Sequence, residues 1–262
     1  MRVAISKMHG ARNDFVVLDQ REARLPDVNE FARWACDRHA GIGADGLIVI
    51  EASQRAHARM RTINADGSEA EMCGNGIRCA ARWLDEAGEG GRASFETEAG
   101  VVRTEILRRE PAYEVRVAMG RPRIMGVLPS VVPIATLVDI GNPHVVIFET
   151  GEGFETLAPG LETLARNFQE HPALPRGANV HLGVRLGEYL LQVQHWERGV
   201  GLTQACGTGA VSCAAAAIDQ KLAKSPVEVI VPGGRLVVEL DGNGDAYLIG
   251  PAVRVFDTEI SV

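Results

Sequence analysis

The segment Cys73-Gly74-Asn75-Gly76 recurs as Cys206-Gly207-Thr208-Gly209, 133 positions later, in a chain of 262 residues. Other matches keep the same order and nearly the same offset. Phe31-Ala32-Arg33 falls on Leu164-Ala165-Arg166, Gly46-Leu47 on Asn179-Val180, and Asn64 on Glu197. At an offset of 129, Asn13-Asp14-Phe15-Val16-Val17-Leu18 falls on Asn142-Pro143-His144-Val145-Val146-Ile147. A single four-residue coincidence means little, but an ordered series at one offset reads as a duplicated domain. The chain is therefore expected to fold as two related halves rather than one large unit.

Local patterns agree with the duplication. Short runs with β-branched residues predict strands at 15–18, 47–50, 59–63, 101–107 and 113–118. Their counterparts lie at 145–148, 180–184, 189–196, 227–231, 236–240 and 246–249. Each half also carries two helical stretches, about 28–39 and 75–88, then about 161–170 and 208–223, with Gly88 placed to cap the second. Helix 208–223 is dominated by Ala and Ser and lacks a bulky one-sided stripe, which suits a helix enclosed by other structure. The expected fold is α+β: two pseudo-symmetric halves, each an antiparallel sheet curved around a central helix, with the active site in the cleft between them. Gly120, Pro122 and Gly126 mark the boundary. Residues 1–119 form the half with Cys73, 120–250 the half with Cys206, and 251–262 are expected to return to the first half as a strand.

Composition narrows the function classes. The net charge is −7, and no basic stripe with interleaved aromatics is present, so nucleic acid is not an expected partner. The longest apolar stretch, 209–218, falls short of the roughly 20 residues of a membrane span. The N-terminal residues lack the apolar core of a secretion signal, which points to the cytoplasm. Five cysteines, an odd number with no C-x-x-C pair, argue for free thiols rather than a disulfide framework or a zinc site.

In both halves the cysteine stands immediately before a Gly-x-Gly turn that opens a helix. Free N–H groups of a first helical turn, and about half a unit of positive charge, favour a thiolate and a carboxylate alike. A lone cysteine there is more often a small buried hydrophobe. Two copies at symmetric positions reverse that balance, whereas Cys79 and Cys213 keep the structural reading. Inverting a carbon α to a carboxylate needs a base on one face and an acid on the other, which a thiolate and a thiol supply. Two helix N-termini would stabilise the charge developing on the carboxylate. No lysine has a recognisable pyridoxal-phosphate context, so a cofactor-free route is favoured. Acyl transfer by one thiol would need a histidine partner, and His9, His144 and His195 show no pairing in the sequence. A thiol redox sensor and an amino-acid-binding protein remain non-enzymatic alternatives. Thiols facing each other across one carbon are also close enough to join as a disulfide on oxidation.

The chain resembles the diaminopimelate epimerase family along nearly its whole length. The resemblance is carried by Lys7-Met8-His9-Gly10 through Asn13-Asp14-Phe15, by Asn64 through Cys79, and by Gly141-Asn142-Pro143-His144. Asn179-Val180, Trp196-Glu197-Arg198-Gly199-Val200-Gly201 and Ala205 through Ala210 complete it. The cysteine motifs alone are also similar to proline racemases; the asparagines and the Glu-Arg-Gly-x-Gly run favour the epimerases. The resemblance implies interconversion of LL- and meso-diaminopimelate without cofactor or metal, serving lysine and peptidoglycan synthesis, by an enzyme that forms a homodimer. It implies that Cys73 and Cys206 are catalytic, with His144 and Glu197 in support. Asn13, Asn64, Gly74, Asn75, Asn142, Asn179, Glu197, Arg198, Gly207 and Thr208 are then the substrate contacts, Arg198 suiting a carboxylate and Glu197 an ammonium. Taken singly, the asparagines read equally as turn residues and Glu197–Arg198 as a surface ion pair. Gly46 stands where many members carry Gln, which bears on substrate specificity more than on reaction type.

Overall fold

The structure is a computed structural model and describes residues 2–22, 25–70, 72–128, 134–149 and 158–261. The chain divides into two compact units, one of Met1–Val117 with Gly250–Val262 and one of Ala118–Ile249.

In the first unit, β1 (Arg2–Gly10) and β2 (Asn13–Asp19) form an antiparallel hairpin. Helix α1 (Val28–Cys36) then crosses to β3 (Gly46–Glu51), which lies parallel to β2. Strand β4 (Ala58–Asn64) returns antiparallel and carries the short β5 (Glu69–Ala70). Helix α2 (Gly74–Glu86) crosses to β6 (Arg92–Thr97), parallel to β4, followed by β7 (Gly100–Arg108) and β8 (Glu114–Gly120). The last strand of the chain, β18 (Val253–Ser261), pairs antiparallel with β1.

The second unit repeats this order. Strand β9 (Arg123–Leu128) pairs with β10 (Ala135–Asp139), as β18 does with β1, and β10 forms a hairpin with β11 (Pro143–Glu149). Helix α3 (Ala158–Gln169) leads to β12 (Asn179–Gly187), parallel to β11. Then come β13 (Leu190–Glu197), β14 (Gly201–Thr203), α4 (Gly207–Asp219) and β15 (Val227–Val231), parallel to β13. Strands β16 (Gly234–Leu240) and β17 (Ala246–Pro251) close the series.

Strand register fixes which residues correspond. Phe15 opposes Gly46 as His144 opposes Asn179, and Leu47 opposes Ile63 as Val180 opposes Trp196. Both sequence offsets, 129 and 133, are therefore structural equivalences. The α+β class is as expected, but the sheet within each unit is mixed rather than wholly antiparallel. The reason is connectivity: a helical crossover delivers the next strand parallel to the one it left, whereas a tight hairpin reverses it.

Each sheet is covered by helices on both faces. On one face α1 buries Phe31, Ala32, Ala35 and Cys36 against Val16, Leu18, Leu47 and Val49, and α3 buries Leu161, Ala165 and Phe168 against Val145, Ile147, Val180 and Leu182. Side chains alternate along a strand, so the neighbouring residues His144 and His181 face the other way. That second face receives α4, which touches β9 to β13, β15 and β16 and is buried at every residue from Gly209 to Ala217. Its small side chains let it fit this enclosure, as the sequence predicts.

Candidate active site

Cys73 and Cys206 are the N-cap residues of α2 and α4. Both have extended backbones, φ −131° and −120°, and each sulfur accepts the N–H three residues on. The distances are 3.4 Å from Gly76 N to Cys73 Sγ and 3.3 Å from Gly209 N to Cys206 Sγ. A sulfur in the cap position takes the place of the usual Ser, Thr or Asp oxygen. It thereby sits at the positive end of the helix, where an anion is stabilised.

Around Cys73, Asn13 at the start of β2 presents Oδ1 to Cys73 Sγ at 3.8 Å and accepts from Asn75 Nδ2 at 3.1 Å. The other end of the Asn13 amide donates to Asp45 Oδ2 at 2.8 Å, which fixes its orientation. Asp45 is held by Arg38, which also grips Asp14, and Lys7 bonds Asp14 and the Gly43 carbonyl. Burial would raise the Asp14 carboxyl, but hydrogen bonds from Arg38 and Lys7 hold it below the usual carboxylate range. Arg78, fully buried on α2, donates to the Gly74 carbonyl, Asn75 Oδ1 and the Pro251 carbonyl. Burial pushes its guanidinium down to about 10, opposed by Cys79 and Cys73. Asn64 ends β4, its Nδ2 donating to Ser68 Oγ at 2.9 Å. A Cβ placed at Gly46 would stand 2.9 Å from the Ile63 carbonyl, so this backbone admits no side chain there without a shift.

Around Cys206 the chemistry differs. Cys206 is buried, and burial pushes its thiol well above the ordinary range; the adjacent Glu197 carboxylate, hydrogen-bonded to it, pushes the same way. Thr208 Oγ1 lies 3.6 Å from the sulfur. Asn179 Oδ1 accepts the Arg198 backbone N–H at 3.0 Å, and Arg198 Nη1 donates to the Arg176 carbonyl at 2.7 Å. Glu197 and Arg198 thus have different partners, one the thiol and the other a backbone carbonyl. Asn142 Oδ1 lies 2.8 Å from His144 Nε2. His144 continues into His181 and His195, all three rings buried.

The site residues expected from the sequence form two clusters, one per unit. Asn13, Gly74 and Asn75 gather at Cys73, with Asn64 at the end of β4. Glu197, Gly207 and Thr208 gather at Cys206, while Asn179 and Arg198 form a bonded pair. The sequence reading missed Asp45, Arg38, Arg78 and His181, and weighed His195 only as a partner for acyl transfer. Only Asp45 had a local signal, its place in the Gly43-Ala44-Asp45-Gly46 turn. Among the described residues, no His, Cys, Asp and Glu side chains are grouped so as to hold a metal ion.

The sequence profile of diaminopimelate epimerase matches residues 5–125 and 136–255. The chain belongs to the diaminopimelate epimerase family. A diaminopimelate epimerase of Desulforudis audaxviator is 41% identical over 96% of this chain and 97% of its own length. One from Sphingopyxis alaskensis is also 41% identical, over 97% and 96%. Among solved structures, a Bacillus anthracis phenazine biosynthesis protein of the PhzF family superposes with a TM-score of 0.80 at 15% identity, covering 100% of both chains. A probable proline racemase from Agrobacterium radiobacter does so at 0.75 and 14% identity, over 99% of this chain and 93% of its own. The diaminopimelate epimerase fold is thus shared with proteins of quite different sequence.

Proposed function

We propose that this chain interconverts LL- and meso-2,6-diaminopimelate by a two-base mechanism, in the route to lysine and peptidoglycan precursors. The observation that carries the reading is the pair of cysteines at equivalent N-cap positions, each sulfur at a helix N-terminus with backbone N–H groups beside it. One sulfur, as thiolate, takes the α-proton; the other, as thiol, returns a proton to the opposite face of the carbon. The electron pair left by the C–H bond moves into the carboxylate, and N–H groups of the Gly74-Asn75 and Gly207-Thr208 turns stabilise the growing charge there. Cys206, with a raised pKa beside Glu197, suits the role of thiol in the resting pair. Asn13, Asn64, Asn142 and Asn179, with Glu197 and Arg198, supply the donors and acceptors that a diamino diacid requires.

The enzyme acts in the cytoplasm and as a homodimer in this reading. Among the described residues no helix is long and apolar enough to cross a membrane. Val255 and Phe256 on β18 are exposed apolar side chains of the kind a second copy would cover.

Incubation with LL-diaminopimelate in D2O tests the proposal. Deuterium is expected at the α-carbon of the meso product well before it enters residual substrate, and Cys73→Ala or Cys206→Ala is expected to abolish turnover. Absence of both exchange and epimerisation would overturn it.

A further inference from the structure

The second unit buries a string of three histidines for which the first unit has no counterpart. At the register positions of His144, His181 and His195 the first unit has Phe15, Ile48 and Thr62. The rings are joined nitrogen to nitrogen, His144 Nδ1 to His181 Nε2 at 2.8 Å and His181 Nδ1 to His195 Nδ1 at 2.9 Å. The string ends at Asn142 Oδ1, 2.8 Å from His144 Nε2.

Burial keeps the rings neutral, holding His144 and His195 down to about 3 and His181 well below its ordinary value. A neutral imidazole carries one N–H, so one bond in the string sets all the others. Asn142 Oδ1 accepts, so the His144 proton sits on Nε2 and its Nδ1 accepts from His181 Nε2. His181 Nδ1 then accepts from His195 Nδ1, and His195 Nε2 is left bare. That nitrogen has no partner among the described residues. Across the β13–β14 ladder His195 faces Thr203, whose buried hydroxyl is also unpartnered and can either donate or accept. The Asn142 carbonyl at the other end therefore sets the direction of the string.

The direction has a chemical consequence at the open end. With Oδ1 spent on His144, the half-buried Asn142 turns its two N–H donors outward, and among the described residues they have no protein partner. Asn13, its counterpart in the first unit, is held the other way: Asp45 takes its N–H and Oδ1 faces Cys73 and Asn75. Equivalent amides thus present opposite polarity, an acceptor from one unit and donors from the other. We propose that His181 and His195 are positioning residues that act through His144 to hold Asn142 with its N–H groups toward an anionic oxygen of the substrate. This rests on the substrate reading above, in which Asn142 is one of the contacts to a diamino diacid.

The test joins ring NMR to kinetics. In the wild-type protein labelled with 15N-histidine, two-bond 1H–15N correlations are expected to show His144 neutral with its proton on Nε2 between pH 5.5 and 8.5. A proton on Nδ1, or an imidazolium in that range, overturns the proposal whatever the activity. The double variant His181→Ile with His195→Thr installs the first unit's residues. It is expected to mix the His144 tautomers and raise KM for LL-diaminopimelate roughly tenfold or more, with kcat changed far less, as loss of a ground-state anion contact requires. A folded double variant with unchanged KM or an unchanged His144 spectrum overturns the proposal. His195→Gln, which keeps an N–H toward His181, is expected to retain most of the wild-type KM. If the wild-type protein proves inactive on diaminopimelate, the substrate reading fails while the ring spectrum still decides the orientation of the string.

Discussion

Gly209 lies so close to His181 that a Cβ placed on it would stand 2.6 Å from the ring carbon Cε1. The same residue donates its N–H to Cys206 Sγ. The ring stack and the thiol therefore meet at one glycine. At the equivalent Gly76 the neighbour is the flexible tip of Ile48, at 3.2 Å. Gly209→Ala is expected to cost about 1–3 kcal/mol through overpacking and to reduce kcat sharply, while Gly76→Ala costs less on both counts. Urea midpoints and kcat of the two variants check this; equal effects would contradict it.

The Glu197 carboxylate beside Cys206 makes a second outcome predictable. Burial and this carboxylate both raise the Cys206 thiol, and Gln at position 197 removes the negative charge. Glu197→Gln is expected to speed alkylation of Cys206 by iodoacetamide near pH 8 while lowering kcat/KM for diaminopimelate. Peptide mass spectrometry over a time course reads the first and a coupled assay the second. Slower alkylation in the variant would contradict the assignment.

The buried histidines also set the acid response. In the unfolded chain each takes a proton near pH 6.5, but in the fold burial holds His144 and His195 down to about 3, with His181 well below 6.5. Between those values the unfolded state binds more protons, so their contribution is complete above pH 6.5 and is lost as pH falls. Each ring contributes up to about 1.4 kcal/mol per pH unit. Thermal midpoints are expected to drop from pH 6.5 to 5, and less steeply in His195→Thr. A midpoint indifferent to pH across that range would contradict this.

Much of the fold was legible because the duplication left its mark in backbone-dictated residues. Cysteines at helix caps and glycines beneath them cannot drift far without losing the geometry, so C-G-x-G survives as a visible repeat. Side-chain substitution within the same frame hides the rest. Phe15 and His144 share a register position yet share no chemistry, and Ile48 and Thr62 give no hint of His181 and His195. Parallel pairing was likewise invisible, because it depends on where a crossover helix delivers the chain. Strand β9 was missed for another reason: five of its six residues are exposed, so it carries no alternating pattern. The site asparagines were legible as a set, but their amide orientations come from Asp45 and His144, which only the structure brings together.

Asp45 is the residue on which the polarity of the first cluster turns. Its Oδ2 accepts from Asn13 Nδ2 at 2.8 Å and from the Asp14 backbone N–H at 3.1 Å, while Oδ1 accepts from Arg38 at 2.7 Å. Asp45→Ala frees the Asn13 amide to turn, leaving only Asn75 Nδ2 and the more distant Cys73 Sγ to hold Oδ1 in place. Arg38 keeps its bond to Asp14, so the fold is expected to survive with a modest loss of stability. The loss of one oriented contact corresponds to a fall in kcat/KM of about tenfold. Asp45→Asn retains an acceptor oxygen for Asn13 and is expected to recover most of that loss, although its neutral amide holds Arg38 less firmly. Steady-state kinetics of the two variants, with circular dichroism to confirm folding, separate orientation from stability. If Asp45→Ala turned over at the wild-type rate, Asn75 would suffice to fix the amide, and Asp45 would serve only to anchor Arg38.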